Sequence, residues 1–190
     1  MELARSPFDD PNHSPHLLVR FSTYMSGRPK APSLTEDDYY NLPDNGVRYQ
    51  LIEGELYMAP APNLYHQTIS GNLEFVFRSY LEQNPLGILL HAPVDVVLRR
   101  DSIWQPDIFV VLNANRHILA EQRCEGVPDF IVEILSPNNR ELDLYTKRTI
   151  YAQQGVTEYW IVDPEAKEIF IYRFNENMSE PAAQFTSPAK

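Results

Sequence analysis

The chain has 190 residues, a formal net charge of −10 at pH 7 and a hydrophobic fraction of 43%. This length and composition predict one globular domain with a substantial core and argue against a disordered chain. The negative charge disfavours proteins that coat nucleic acid through a broad basic face. It is compatible with an enzyme whose acidic site holds a divalent cation and meets phosphates there.

The single cysteine, Cys124, excludes an internal disulfide and a cysteine-based metal cluster, so we expect a cytoplasmic location. No apolar run reaches the roughly 20 residues of a membrane span, so no membrane association is predicted. The first twelve residues carry acids and prolines where a secretion signal would have an apolar core.

Three segments are predicted. Residues 1–32 contain five prolines and are interpreted as a flexible N-terminal arm, with a short strand at residues 17–21 that could pair with a neighbour. Residues 33–174 form the domain, and residues 175–190 form a frayed C-terminal tail.

Within the domain, Ser33 and Glu36 resemble a capping box and predict a short helix through Tyr40. Residues 47–52 and 55–58 flank Glu53-Gly54, a pattern typical of a tight hairpin. A long helix across a sheet is predicted from about residue 63 to 83. Its apolar positions are Ile69, Leu73, Val76, Phe77, Tyr80 and Leu81.

Further strands are predicted at residues 88–90, 94–98, 103–112 (containing Pro106-Asp107), 130–135, 158–162 and 168–174. A loop with a short helix covers residues 113–126. A helix begins at Asn138 or Asn139 and runs to about Gln154, with Gly155 as its C-cap.

This order predicts an α/β fold, a mixed sheet flanked by helices (α-β-β-β-α-β) and preceded by a β-hairpin. Consecutive strands with short links favour an antiparallel meander, and the strand–helix–strand unit adds a parallel strand through a right-handed crossover. Trp104 and Trp160 are interpreted as core or dimer-interface residues.

Two acids stand out because of their neighbours. Asp107 begins the strand Ile108-Phe109-Val110-Val111, and Glu133 lies inside a buried strand, where a carboxylate is costly without compensation. If these strands are adjacent, both carboxylates point to one spot and repel each other unless a proton or cation lies between them. Oxygen ligands indicate a hard ion, Mg²⁺ or Mn²⁺.

Lys147 could reach the same place from the following helix and steady a developing negative charge. It also lies four residues after Asp143, a spacing equally typical of a helix-stabilising ion pair. Spacing alone therefore leaves open both a catalytic site and a structural ion pair of Glu133 with Lys147.

The sequence resembles the Uma-type, restriction-endonuclease-like family of the PD-(D/E)XK nuclease superfamily over roughly residues 33–173. The hairpin and His66 also match that family. The motifs that carry the resemblance are Pro106-Asp107, Glu133-Ile134-Leu135-Ser136-Pro137, Asp143, Lys147, Tyr151, Gly155-Val156 and Glu158-Tyr159-Trp160.

The resemblance implies a restriction-endonuclease-like core and a metal-dependent phosphodiesterase site. Asp107, Glu133 and the main-chain carbonyl of Ile134 would be metal ligands for Mg²⁺ or Mn²⁺. The superfamily's lysine normally follows the acid by two residues, where this chain has Leu135, so the resemblance assigns that role to Lys147.

Accessory roles fall to Glu53, His66, Gln105 and Asp143. Glu53 is a candidate third acid because Gln50 stands where the family usually has a glutamate. For His66, a structural role with a buried hydrogen bond is the alternative. Gln105 could contact a phosphate or merely begin a strand.

The predicted function is therefore Mg²⁺-dependent endonucleolytic hydrolysis of DNA by a cytoplasmic protein, expected to be a homodimer. One alternative is a catalytically degenerate module of the same fold that binds nucleic acid or protein. A two-carboxylate sugar hydrolase is disfavoured by the lysine beside the acids.

Overall fold

The computed structural model describes residues 33–59, 61–137 and 140–187. The predicted N-terminal arm with its strand at residues 17–21, and the helix cap at Asn138 or Asn139, lie outside the described residues.

The described residues form helices and strands whose bounds are as follows. They are α1 (Glu36–Tyr40), β1 (Arg48–Ile52), β2 (Glu55–Ala59), α2 (Leu64–Gln83), β3 (Gly87–His91), β4 (Val96–Arg99), β5 (Ser102–Trp104), β6 (Ile108–Leu112), a 3-10 helix (Asn113–Ile118), β7 (Phe130–Ile134), a π-helical segment (Leu142–Lys147) continued by α3 (Arg148–Gln154), β8 (Glu158–Asp163), β9 (Glu168–Arg173) and β10 (Ala183–Thr186).

In the described part of the chain these strands form two sheets, in the orders β2-β1-β5-β4 and β10-β9-β8-β7-β6-β3. Strands β7 and β8 are parallel, joined by the α3 crossover, and the other pairs are antiparallel. The elements α2, β3, β6, β7, α3 and β8 follow the predicted α-β-β-β-α-β order. The predicted mixed α/β fold is confirmed.

The single strand predicted over residues 103–112 is wrong. It divides at Gln105–Asp107 into β5, which pairs with β1 and β4, and β6, which pairs with β3 and β7. Proline lacks the N–H that a sheet ladder needs, so Pro106 ends the first ladder and lets the chain change sheets. Asp107 consequently stands at the passage between the two sheets.

The six-stranded sheet is apolar on both faces. On one face Ile69, Leu73 and Phe77 of α2 pack against a cluster that includes Val132 and Ile134. The opposite face belongs to a larger core. Its members include Trp104, Phe109, Ile131, Tyr151, Tyr159 and Ile161.

Not all of the apolar positions predicted for α2 are buried. Val76 and Tyr80 are 59% and 57% exposed, because the helix turns them away from the sheet, and Phe75 beside them is 73% exposed. Trp104 is fully buried in the core, whereas the half-buried Trp160 packs against the ring of Phe77.

The termini of three elements refine the prediction. Helix α1 is capped by Thr35, two residues after the predicted cap Ser33. The backbone N–H and the hydroxyl of Thr35 both donate to the carboxylate of Asp38. The turn of the β1–β2 hairpin is confirmed, with positive φ at both Glu53 (50°) and Gly54 (77°). This is the turn geometry that two-residue hairpins favour. Gly155 ends α3 with φ of 90°, as predicted.

The chain after residue 174 is not wholly frayed. Residues 183–186 form β10, which pairs antiparallel with β9 at the edge of the larger sheet. The sequence of this short segment gave no clear strand signal. Separately, no helix in the described ranges has both the length and the apolar character needed to cross a bilayer.

Candidate active site

A cleft of about 450 Å³ opens where β6 and β7 meet the beginning of α2. Seven of the residues that line it come from the sequence prediction. They are His66, Gln105, Asp107, Glu133, Ile134, Asp143 and Lys147.

The register of β6 and β7 brings the two strand acids together. Ile108 pairs with Val132, so continuing this antiparallel register by one residue places Asp107 opposite Glu133. Residues opposite each other in an antiparallel pair point to the same face of a sheet. The adjacency that the sequence analysis required is therefore present. Asp107 keeps a side-chain exposure of 19%, whereas that of Glu133 is 3%.

Asp107 is held from two directions through one oxygen. The backbone N–H of Ile134 donates to Oδ2 at 2.8 Å, and Nε2 of His66 lies 3.2 Å from the same oxygen. His66 occupies the first turn of α2, where its own backbone N–H donates to the side chain of the N-cap residue Asn63. The start of α2 is thus fixed next to the carboxylate.

Glu133 is held from the α3 side of the sheet. Its Oε1 accepts a hydrogen bond from the hydroxyl of Tyr151 at 2.8 Å and lies 2.9 Å from Nζ of Lys147. The same ammonium group lies 2.8 Å from Oδ1 of Asp143. Asp143 and Lys147 are both in the π-helical segment, one turn apart, so a single stretch of backbone presents both groups to Glu133.

This buried cluster shifts the pKa values of its members. Burial, aided by the charges of Asp143 and Asp107 and opposed by Lys147, raises the pKa of Glu133 to about 8. Burial also raises the pKa of Asp143, again against the effect of Lys147. For Lys147 burial acts in the opposite direction, but the two adjoining carboxylates outweigh it and hold the pKa above its usual range. The lysine is therefore a permanent cation.

Two amides line another part of the cleft. Gln105 donates through Nε2 to Oδ1 of Asp95 at 2.9 Å, and its backbone N–H lies 3.4 Å from Oε1 of Gln50. Gln50 is 9% exposed and belongs to β1, in the smaller sheet. The position at which the resembled family usually has a glutamate thus faces the cleft, but here with a neutral amide.

The expected third acid lies elsewhere. Glu53 is exposed in the turn of the β1–β2 hairpin and does not line the cleft. The hairpin turn lies at the end of β1 away from the cleft, and the two residues Leu51 and Ile52 separate Gln50 from Glu53.

One contact of the site was missed by reasoning from the sequence. The sequence analysis gave Tyr151 no role in the site. Its ring is fully buried in the core, and its hydroxyl donates to Glu133. The spacing could have revealed this, because Tyr151 follows Lys147 by four residues and therefore shares its helix face.

A divalent cation would find only a small set of carboxylate donors in the cleft. Within residues 33–59, 61–137 and 140–187, no group of three or more His, Cys, Asp or Glu side chains is arranged to hold a metal ion. Mg²⁺, however, keeps several waters and often binds only one or two protein carboxylates together with substrate phosphate. Asp107 and Glu133 offer such a pair of hard oxygen donors on one cleft, so the residues fit the ion.

Comparison with known proteins gives a fold and a family. A solved structure from Anabaena variabilis, described as a putative nuclease belonging to DUF820, superposes with a TM-score of 0.67 at 21% sequence identity. The match covers 82% of this chain and 86% of that chain, and at this identity it shows a shared fold. A search of curated proteins found no match.

A family model described as "Uma2: Putative restriction endonuclease" matches residues 36–189. That span includes the cleft and all the strands described above. The chain therefore belongs to the Uma2 family of restriction-endonuclease-like proteins.

Proposed function

We propose that the protein is a divalent-cation-dependent endonuclease that hydrolyses DNA phosphodiester bonds at the cleft between β6, β7 and α2. The observation that carries the proposal is the convergence of Asp107 and Glu133 on one cleft beside the ammonium group of Lys147. Membership of a restriction-endonuclease-like family supports phosphodiester chemistry for this arrangement.

The charge of the site supports a divalent ion. Three carboxylates, those of Asp107, Glu133 and Asp143, share the cleft with the single ammonium group of Lys147. Burial and the neighbouring carboxylates raise the pKa of Glu133 to about 8, so without an ion Glu133 reduces the repulsion by retaining a proton. A doubly charged cation would offset the repulsion among these carboxylates and favour their ionised forms.

In the proposed reaction Asp107 and Glu133 would hold the ion, with the main-chain carbonyl of Ile134 as a further ligand. When bound, Mg²⁺ or Mn²⁺ would polarise the phosphate and lower the pKa of a bound water. Lys147 acts as a fixed positive charge that orients the attacking water and stabilises the negative charge that develops on phosphorus oxygens. Its raised pKa makes it a poor general base.

The neighbours of these groups keep the arrangement in place. Asp143 and Glu133 fix the ammonium of Lys147 from two sides, and Tyr151 fixes Glu133. Gln105, anchored on Asp95, presents its side chain along the cleft where it could contact a substrate phosphate.

The test is cleavage of supercoiled plasmid with Mg²⁺ or Mn²⁺ by wild type, Asp107→Asn and Glu133→Gln. Because loss of a side chain that only orients a metal ligand typically costs about 10–100-fold, loss of a ligand itself should lower the cleavage rate by about 100-fold or more. Glu53→Gln is the matched control, because it removes a carboxylate outside the cleft and should cleave like wild type. Equal cleavage by wild type and Glu133→Gln would remove Glu133 from the mechanism.

A second candidate is a module of this fold that binds nucleic acid or protein without cleaving it. Gln50 favours it, because a neutral amide lines the cleft where the resembled family has an acid. The net charge of −10 also weakens electrostatic attraction to DNA. Calorimetric titration with Mn²⁺ separates the candidates, since the nuclease requires ion binding and the module does not.

The proposal includes a homodimer. Tyr65, Phe75, Val76 and Tyr80 leave apolar surface on the outer side of α2, each more than half exposed. Several large apolar side chains exposed on one helix support a protein interface there. Light scattering should give a dimer mass for wild type and a monomer mass for the double variant Phe75→Glu, Tyr80→Glu. A wild-type monomer would refute the dimer.

A further inference from the structure

The carboxylate of Asp107 has an asymmetric environment. Both hydrogen bonds that it accepts from described residues end on Oδ2, one from Ile134 and one from His66. The first donor is backbone and comes from β7, and the second is a side chain of α2. Two donors from different elements fix the plane of a carboxylate as well as its position.

His66 is buried, and the fold fixes its position next to Asp107. Its side chain is 10% exposed, and its place in the first turn of α2 is fixed by the hydrogen bond to Asn63. An ionised carboxylate only accepts hydrogen bonds, so Nε2 of His66 carries the hydrogen that is shared with Asp107. The other ring nitrogen, Nδ1, is buried and finds no hydrogen-bond partner among the described residues. Among the described residues the ring's polar neighbours are thus the carboxylate of Asp107 and the backbone of Ile134, and Asp107 is the side chain that it holds.

Since Oδ2 is occupied in this way, Oδ1 is the oxygen that Asp107 can offer to a cation in the cleft. We propose that His66 is a positioning residue that holds Asp107 with Oδ1 available for the divalent cation, and so sets the affinity of the site for the ion. This inference rests on the proposed function. It assigns His66 no contact with substrate and no transfer of a proton.

The role resembles that of side chains that orient metal ligands in other proteins, whose loss typically weakens metal affinity about 10–100-fold. It predicts that the hydrogen-bond donor matters and that the imidazole ring does not. Glutamine at residue 66 can supply an amide N–H in place of Nε2–H, whereas phenylalanine fills a similar volume without a donor.

The experiment is calorimetric titration of the full chain with Mn²⁺ alone, comparing wild type, His66→Phe and His66→Gln. His117→Ala is the matched control, because His117 is an exposed histidine of the 3-10 helix and does not line the cleft. We expect His66→Phe to bind Mn²⁺ about 10–100-fold more weakly, His66→Gln to recover most of that loss, and His117→Ala to match wild type. Circular dichroism confirms that each variant is folded before titration, and if His66→Phe fails to fold, His66→Ala replaces it.

The outcomes separate this inference from the proposed function. If wild type binds no Mn²⁺, both fall. If wild type and His66→Phe bind Mn²⁺ equally, the proposed site stands and the positioning role of His66 is refuted. If both His66 variants are equally weak, the donor is not what matters, and the inference is likewise refuted.

Discussion

Lys147 and Glu133 form an ion pair in which Nζ and Oε1 are 2.9 Å apart and neither side chain is more than 4% exposed. Such a pair is costly to bury, and its attraction mostly offsets that cost, so it is weak evidence for stability. Removing one partner is different, because it leaves the other charge buried without compensation.

The first prediction concerns that loss. Lys147→Met leaves the buried carboxylates of Glu133 and Asp143 facing each other, so the free energy of unfolding should fall by about 3–5 kcal/mol. Urea denaturation at pH 7.5 without divalent ions measures it. Adding Glu133→Gln to the same chain should restore part of the stability. A Lys147→Met variant as stable as wild type would show that these carboxylates are not confined as described.

The second prediction concerns pH. Burial is the main cause that raises the pKa of Glu133 from 4.5 to about 8 in the folded chain. The folded state therefore retains a proton that the unfolded state releases, so stability from this group is full below about 4.5 and is lost as pH rises through 8.

Wild type should thus lose stability relative to Glu133→Gln between pH 5 and pH 8 when divalent ions are chelated. Urea denaturation at several pH values gives the comparison. Parallel pH profiles for the two proteins would contradict a raised pKa at Glu133.

The third prediction contrasts two glycines. Gly54 has a φ of 77°, and a Cβ there would lie 1.7 Å from Oγ of Ser33 and 3.2 Å from the carbonyl of Leu34. Gly54→Ala should therefore lower stability by about 1–2 kcal/mol or more. Gly71 lies within α2 with open space around it, so Gly71→Ala should raise stability by about 0.5–1 kcal/mol. Thermal melts of both variants check the opposite signs, and a shift in the same direction would refute the contrast.

The fourth prediction concerns Asp163 at the end of β8. Arg140 lies 2.5 Å from its Oδ2, and the backbone N–H groups of Glu165 and Ala166 donate to Oδ1. The hydrogen bond from Arg140 is the largest influence that lowers the pKa of Asp163. Its contribution to stability is accordingly present above pH 3.8 and is lost as pH falls through the lower folded value.

Arg140→Met should cost about 1–3 kcal/mol at pH 7, limited by the remaining backbone hydrogen bonds, and less at pH 3. Urea midpoints at the two pH values measure the difference. An equal cost at both pH values would show that the ionised form of Asp163 is not what Arg140 stabilises.

Local patterns were sufficient for most of the elements, and they made the convergence of the two acids depend on one strand adjacency. Apolar runs marked β6, β7 and β8, and alternation along adjacent strands placed Asp107 and Glu133 on one face. Periodicity alone overstated the buried face of α2, because Val76 and Tyr80 fit the helical repeat but face outward. A repeat identifies which residues share a face but not how far a neighbouring sheet extends across it.

Long-range pairing was beyond the sequence. Residues 103–112 look like one strand, because Pro106 is the only interruption in the run. No local feature of the sequence shows that the two halves of this segment belong to different sheets. The contact between His66 and Asp107 joins residues 41 positions apart and depends on where α2 begins relative to the sheet. Likewise Glu53 seemed a candidate because sequence distance does not reveal that the hairpin turn faces away from the cleft.

The passage from β5 to β6 makes the chemistry more fragile than the scaffold. Only Gln105 and Pro106 separate Trp104, in one sheet, from Asp107 at the threshold of the other. An extra residue inserted there would let both ladders keep their hydrogen bonds. It would change the backbone conformation at Asp107, which lies outside both strands, and so turn the carboxylate away from its present position. Such an insertion would therefore leave the two sheets intact and disturb the arrangement of side chains in the cleft.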